Sequence, residues 1–178
     1  MRRAPFAFGL LVLASAAMAQ TPTASLGVSV NAYYLDSAKL RSAFGDPAIT
    51  YGVNLSAVNR PQANKPTFAY NIVTATKGDN KFFLLPATIG YEVQFADRSA
   101  NVLPYARVEG GYAYYDVAIH HDDFDKSFKA GGFAGAVEAG LVFNKAIAVK
   151  ARYNLFQERF GVNLSGLEVG LVYTFGKL

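Results

Sequence analysis

"GLEVGLVYTFGKL", Gly166 to Leu178, places an apolar side chain at every second position. Leu167, Val169, Leu171, Tyr173 and Phe175 share one face, and Glu168, Gly170, Val172 and Thr174 share the other. A strand turns successive side chains to opposite faces, so this stretch reads as a strand with one apolar face. The other face carries a single charge, Glu168, among small residues. Which face points inward decides what kind of protein this is.

The same code recurs upstream. Leu85 to Phe95 sets Leu85, Ala87, Ile89, Tyr91 and Val93 against Thr88, Gly90, Glu92 and Gln94. Pro104 to Tyr115 sets Ala106, Val108, Tyr112 and Tyr114 against Arg107 and Glu109. Gly131 to Phe143 opposes Phe133, Val137 and Leu141 to Glu138, and Ile147 to Leu155 opposes Ile147, Val149 and Tyr153 to Lys150, Arg152 and Asn154. Leu26 to Tyr34, Ile49 to Ala57 and Phe68 to Thr76 complete eight expected strands. Turn formers separate them at Asn59 to Pro66, Lys77 to Asn80, Asp97 to Asn101 and Asn144 to Ala146. Asp36 to Gly45 reads as a short helix, capped by Asp36, with Leu40 and Phe44 one turn apart and Gly45 ending it.

The charges settle the faces. Glu92, Arg107, Glu109, Glu138, Lys150, Arg152 and Glu168 each stand alone in mid-strand on the polar face, and the apolar faces of these strands carry none. A soluble ligand-binding barrel of the lipocalin kind has an apolar interior, where such charges would meet a large desolvation cost. A membrane barrel inverts the arrangement, and Lys or Arg at mid-bilayer on its lipid face costs ~2–4 kcal/mol. The expectation is therefore an all-β, eight-stranded, antiparallel up-and-down transmembrane barrel with a filled polar interior. Strands of ~9–11 residues suffice to cross a bilayer when tilted.

The start of the chain sets the compartment. Arg2 and Arg3 precede the apolar run Pro5 to Ala17, and Ala17-Met18-Ala19 fits a signal-peptidase site. Met1 to Ala19 is expected to be a cleaved signal peptide for Sec export, and Gln20 to Leu178 the barrel domain. Removing Arg2 and Arg3 from the 17 basic residues leaves 15 against 13 acidic ones, a balance that argues against nucleic-acid binding. The chain has no cysteine, so it cannot draw on disulfides.

With these residues in hand, the chain resembles the small eight-stranded outer-membrane barrel proteins, the group that includes the OmpA transmembrane domain and OmpX. Glu168, Gly170, Tyr173 and Phe175 look like the C-terminal assembly signal of such barrels, although Gly176-Lys177-Leu178 follow where the family ends on its aromatic. Leu103 to Tyr112, "LPYARVEGGY", is similar to a "PYxxxGxGY" strand of the group. The resemblance implies an integral outer-membrane protein with termini in the periplasm. Its expected partners are outer-membrane lipid, lipopolysaccharide and the barrel assembly machinery, and it is expected to be a monomer.

Candidate chemistry is sparse. The seven inward charges read as a structural salt-bridge network rather than acid/base machinery. His120, His121, Asp122, Asp123 and Asp125 read as a solvated polar cluster at a strand end, in the third outer loop, since nothing fixes a metal geometry. Enzymes of this size class that modify lipid A place His with Ser and an acid at the rim, and here only Ser127 and the two histidines are available. No catalytic residue, metal or cofactor is expected. The role expected is structural or surface-interacting, exercised through the outer loops; a lipid A-modifying enzyme and a soluble exported lipocalin-like binder are the alternatives.

Overall fold

The computed structural model describes residues 24–57, 65–97, 100–121, 124–144 and 146–177. The expected signal peptide, Asp122 and Asp123 lie outside them. Eight strands run in chain order: β1 (Ala24–Leu35), β2 (Ala48–Ala57), β3 (Lys65–Lys77), β4 (Asn80–Gln94), β5 (Val102–His121), β6 (Phe124–Phe143), β7 (Ile147–Phe156) and β8 (Gly166–Lys177). Each pairs antiparallel with its neighbours, and β8 returns to β1 to close the barrel. Closure removes the lateral edges, so backbone amides along the seam are paired within the protein.

The alternation sorts the side chains as the periodicity demands. Val28, Tyr51, Ile89, Val137 and Leu171 are exposed on the outer face, while Glu109, Glu138, Lys150, Arg152 and Glu168 are buried inside. Exposed large apolar residues occur on the outer face of strand after strand, a distribution that an aqueous surface does not sustain. Between the level of Lys81, Asp116 and Lys129 and that of Phe175, no described outward strand position carries a charge.

The eight-strand count leaves an interior just wide enough for side chains to fill, and it is filled in two layers. The polar interior read from the sequence occupies the half nearer the chain termini. The opposite half is apolar: Tyr33, Leu35, Phe82, Leu84, Tyr115, Val117 and Ile119 are all buried there. This layer escaped the sequence reading because both faces are apolar in such runs as Phe82-Phe83-Leu84-Leu85, where period two vanishes.

A short helix, α1 (Ala38–Phe44), closes the apolar end. Its N-cap is Ser37 rather than the expected Asp36, with the Ser37 carbonyl accepting from Leu40 N at 3.1 Å and Arg41 N at 3.0 Å. Leu40, Ala43 and Phe44 face inward, and the Phe44 ring meets Phe82 edge-on at 4.9 Å. Gly45 ends the helix at φ 103°, which favours a residue without Cβ.

Two strands outrun expectation. β5 and β6 are 20 residues each, so His120, His121 and Asp125 stand at strand ends, as read from the sequence, and are themselves paired in the sheet where a loop was expected. The physical reason lies on the inner face, where Ile119, Phe124, Phe128 and Ala130 continue the apolar cluster past the level at which β7 stops.

At the closing seam, a Cβ on Gly170 would lie 2.1 Å from Asn31 Oδ1 and 2.6 Å from Val30 O. At Gly110, nothing lies within 4 Å of such a Cβ. Gly170→Leu should therefore sharply reduce the fraction of chain that refolds into the fast-migrating barrel on unheated SDS gels, and Gly110→Ala should leave it unchanged. Equal refolding of the two variants would show that the seam does not require this close approach.

Candidate functional site

Two polar constellations stand out, one inside the barrel and one on its outer face. Inside, the inward parity of β4 to β8 brings all seven charges singled out from the sequence into one connected network. Arg107 on β5 bonds Glu92 on β4 through Nε at 3.1 Å and reaches Glu109 at 3.2 Å. Arg152 on β7 spans the lumen to Glu109 at 2.7 Å and bonds Glu138 at 3.1 Å. Lys150 holds Glu168 on β8 at 2.8 Å and lies 3.9 Å from Glu138.

Uncharged neighbours satisfy the remaining lone pairs. Thr88 donates to Glu109 at 2.9 Å, Tyr105 to Glu138 at 2.8 Å, Asn154 to Glu168 at 3.2 Å and Gln94 to Glu92 at 2.8 Å. Asn154 also accepts from Arg152 Nε at 2.7 Å. The sequence reading put Thr88, Gln94 and Asn154 on the polar faces without giving them a part in the network, and it did not place Tyr105 there. Their signal was available in register, because each is an inward position on the same strand as a charge or facing one across a strand pair. Every carboxylate in the set has a cationic partner, which is what a confined, poorly hydrated space requires.

On the termini side, Asn54, Asn71, Arg107 and Lys150 help line a cavity of about 80 Å³. That is room for a few waters. Beyond it, toward α1, the interior is occupied by the buried apolar cluster.

The second constellation lies outward on β4, β5 and β6, just past the apolar band. Asp79, Lys81, Asp116, His120, Ser127 and Lys129 line a shallow recess. His120 Nδ1 pairs with Asp125 Oδ1 at 3.0 Å, and the His120 backbone N–H donates to Asn80 Oδ1 at 2.7 Å. Asn80 in turn donates to the Ala43 carbonyl at 3.2 Å, tying α1 to β5. Lys129 pairs with Asp116 at 2.9 Å, a hydrogen bond and charge that raise the ammonium pKa above its usual value. Ser127 faces Ala118 in register and stands diagonal to His120. His121 takes an inward register position and does not share this recess. Among the described residues, no group of three or more His, Asp or Glu is placed to hold a metal ion.

The model of one protein family, the outer membrane protein beta-barrel domain, matches residues 6–175. The chain belongs to this family. None of the curated proteins matches it in sequence. The fold is shared with the N-terminal β-barrel domain of Pseudomonas aeruginosa OprF, at 11% identity and TM-score 0.55 over 86% of this chain and 98% of that one. Neisserial surface protein A is similar at 15% identity and TM-score 0.57, over 85% and 97% of the two chains. The outer membrane enzyme PagL is similar at 16% identity and TM-score 0.59, over 85% and 98%. At these identities the likeness establishes the fold alone, so this outer-membrane barrel's task has to be argued from its own residues.

The network generates a contrast between adjacent residues of β5. Arg107→Ala strips Glu92 of its cation and removes one partner of Glu109, a loss typically worth ~3–5 kcal/mol in a buried pair. Val108 points the other way and is 56% exposed, so Val108→Ala should cost less than ~1 kcal/mol. Urea unfolding of the refolded protein in micelles should rank the two in that order. A more damaging Val108→Ala beside a silent Arg107→Ala would mean that the faces are reversed.

Proposed function

We propose that this protein is a Sec-exported, integral outer-membrane barrel that does not conduct and does not catalyse, with a structural and surface-interacting role exercised at the end bearing α1 and the β5–β6 hairpin. The observation that carries the reading is the inversion of faces: an apolar, charge-free outer band around an interior of paired charges. The filled interior supports a non-conducting role, with the ion-pair network at one level and the apolar layer under α1 at the other. Outer-membrane lipid and lipopolysaccharide are the partners this band would meet, the barrel assembly machinery would read Tyr173 and Phe175, and a closed sheet fits a monomer. Tyr173 and Phe175 are both outward, with ring centroids 5.9 Å apart, so they stay available on the lipid face near the chain end.

One observation favours a second reading. Ser127 shares its recess with His120, whose other face is held by Asp125 at 3.0 Å, so a nucleophile, a base and an orienting acid occur together at the level where headgroups lie. No hydrogen bond joins Ser127 to His120, which weighs against a working relay.

Both readings meet in one set of measurements on the full chain. The protein should sediment with outer membranes and resist carbonate extraction, show no steady current in a planar bilayer, and release no fatty acid from outer-membrane lipids. Recovery in the soluble fraction would overturn the membrane reading. Fatty-acid release abolished by His120→Ala and Ser127→Ala would replace the non-catalytic role with an ester hydrolase.

A further inference from the structure

The closed barrel hides its edges only as far as its shortest strands reach. β7 pairs with β6 from Phe143 down to Ala134 and then stops at Phe156. β6 continues as far as Phe124, paired on its other side with β5 throughout. From Phe124 to Gly132, no strand of the described residues lies on the β7 side of β6.

The direction of the backbone groups along this edge follows from its first residue. Phe133 donates its N–H to Gln157 Oε1 at 3.1 Å and accepts from Gln157 N at 2.9 Å, so both of its groups point to the β7 side. In an antiparallel ladder this direction alternates residue by residue. Gly131, Lys129, Ser127 and Asp125 therefore aim their N–H and C=O groups at the same open side, while Lys126, Phe128 and Ala130 bond to β5. The result is a row of regularly spaced donors and acceptors beyond the apolar band.

We propose that this edge, Phe124 to Gly132, takes an extended segment of another protein by strand addition, a segment in which apolar residues alternate with acidic ones. The proposal rests on the membrane reading above, which puts the hairpin on the aqueous side. Main-chain hydrogen bonds would supply the affinity and alternate side chains the selectivity. On the inner side, the Phe128 ring meets Phe160 at 5.0 Å, tilted by 56°, and Phe160 is itself 66% exposed, leaving an apolar ledge beside the edge. On the outer side Lys129 is exposed beside Asp116, while Lys126, two residues from Phe128, takes the inner side of the strand. An added strand would therefore set apolar side chains against Phe128 and Phe160 and a carboxylate against Lys129.

A second copy fits poorly. Two copies in one membrane share an orientation, so their β6 strands run the same way and the outer face of one lines up with the inner face of the other, which sets Lys129 of each copy beside the apolar Phe128 or Ala130 of its neighbour. Charges placed this way are a common guard against edge-to-edge self-association.

The test uses the full chain refolded in detergent micelles and a nine-residue probe, Val-Glu-Val-Glu-Val-Glu-Val-Glu-Val, matched in length to Phe124–Gly132. Hydrogen exchange without peptide should be fast at Ser127, Lys129 and Gly131 and slow at Phe128 and Ala130. The probe should bind saturably and protect the fast set. A version with Lys for each Glu, a version N-methylated along one edge, and the variant Ser127→Pro should each weaken binding at least about tenfold, or 1.4 kcal/mol. Ser127→Pro removes only an N–H that faces the open side, and its heat-modifiable migration should be unchanged, which separates loss of the edge from loss of the barrel. Slow exchange at Ser127 and Lys129 without peptide, no binding of the probe, or equal binding by Ser127→Pro would overturn the proposal. A dimer that Ser127→Pro dissolves would assign the edge to a second copy and overturn the occupant named here. Failure of the unmodified chain to enter micelles would count against the membrane reading instead.

Discussion

Hydrocarbon offers no partner for an N–H or a C=O, and most of this structure follows from that one fact. The seam between β1 and β8 must close, and it does so over the run from Ser25 to Leu35. Closure demands that backbones come close, which is why Gly170 faces Asn31 where any side chain would collide. Once the sheet is closed with its outer surface in lipid, charge has only one place to go. The ion pairs are therefore a consequence of the membrane and not an independent source of stability, since a buried pair seldom outperforms a well-packed apolar substitute.

The division of the interior into two layers gives each end a different physical character. Near the termini, Arg107, Arg152 and Lys150 tie β4 to β8 through shared carboxylates, so strands distant in sequence are coupled across the lumen. Toward α1, packing replaces pairing: Leu40 and Phe44 descend onto Phe82 as a stopper. The outer surface changes at that end as well. Where Lys81, Asp116 and Lys129 replace aliphatic residues, the sheet is leaving the hydrocarbon, and β5 and β6 carry on beyond it. Exposed backbone is tolerable there because water can satisfy it.

How much of this was legible in the sequence depends on how many signals each element carried. The closing strand declared itself, because Leu167 to Phe175 alternates without exception against Glu168, and β7 did so through Lys150 and Arg152. Strand boundaries were misread where both faces turn apolar or where the code inverts. Phe82 to Leu85 on β4 has core on one side and lipid on the other, so periodicity had nothing to contrast, and Tyr115 to Ile119 of β5 turns apolar residues inward and Asp116 outward, the reverse of the code below it. The histidines were placed in a loop for the same reason: the apolar residues that extend β5 and β6 point into a cluster completed by α1, which is distant in sequence. The inward charges were all legible, but their pairing was not, since the contact from Arg152 to Glu109 joins strands that are not neighbours. The switch of Asp36 for Ser37 at the helix cap is a one-residue matter that backbone geometry alone decides.

The central claim, that the apolar face meets lipid and the charged face does not, can be measured directly because the chain has no native cysteine. Single cysteines at Val137, Val169 and Glu138 would carry spin labels in reconstituted bilayers, read by their collision rates with oxygen and with a water-soluble nickel complex. Val137 and Val169 should be strongly accessible to oxygen and shielded from nickel, with Glu138 shielded from oxygen. Labels at Val137 and Val169 that are shielded from both reagents, beside a Glu138 label open to nickel, would place the apolar face in a protein core and contradict the account.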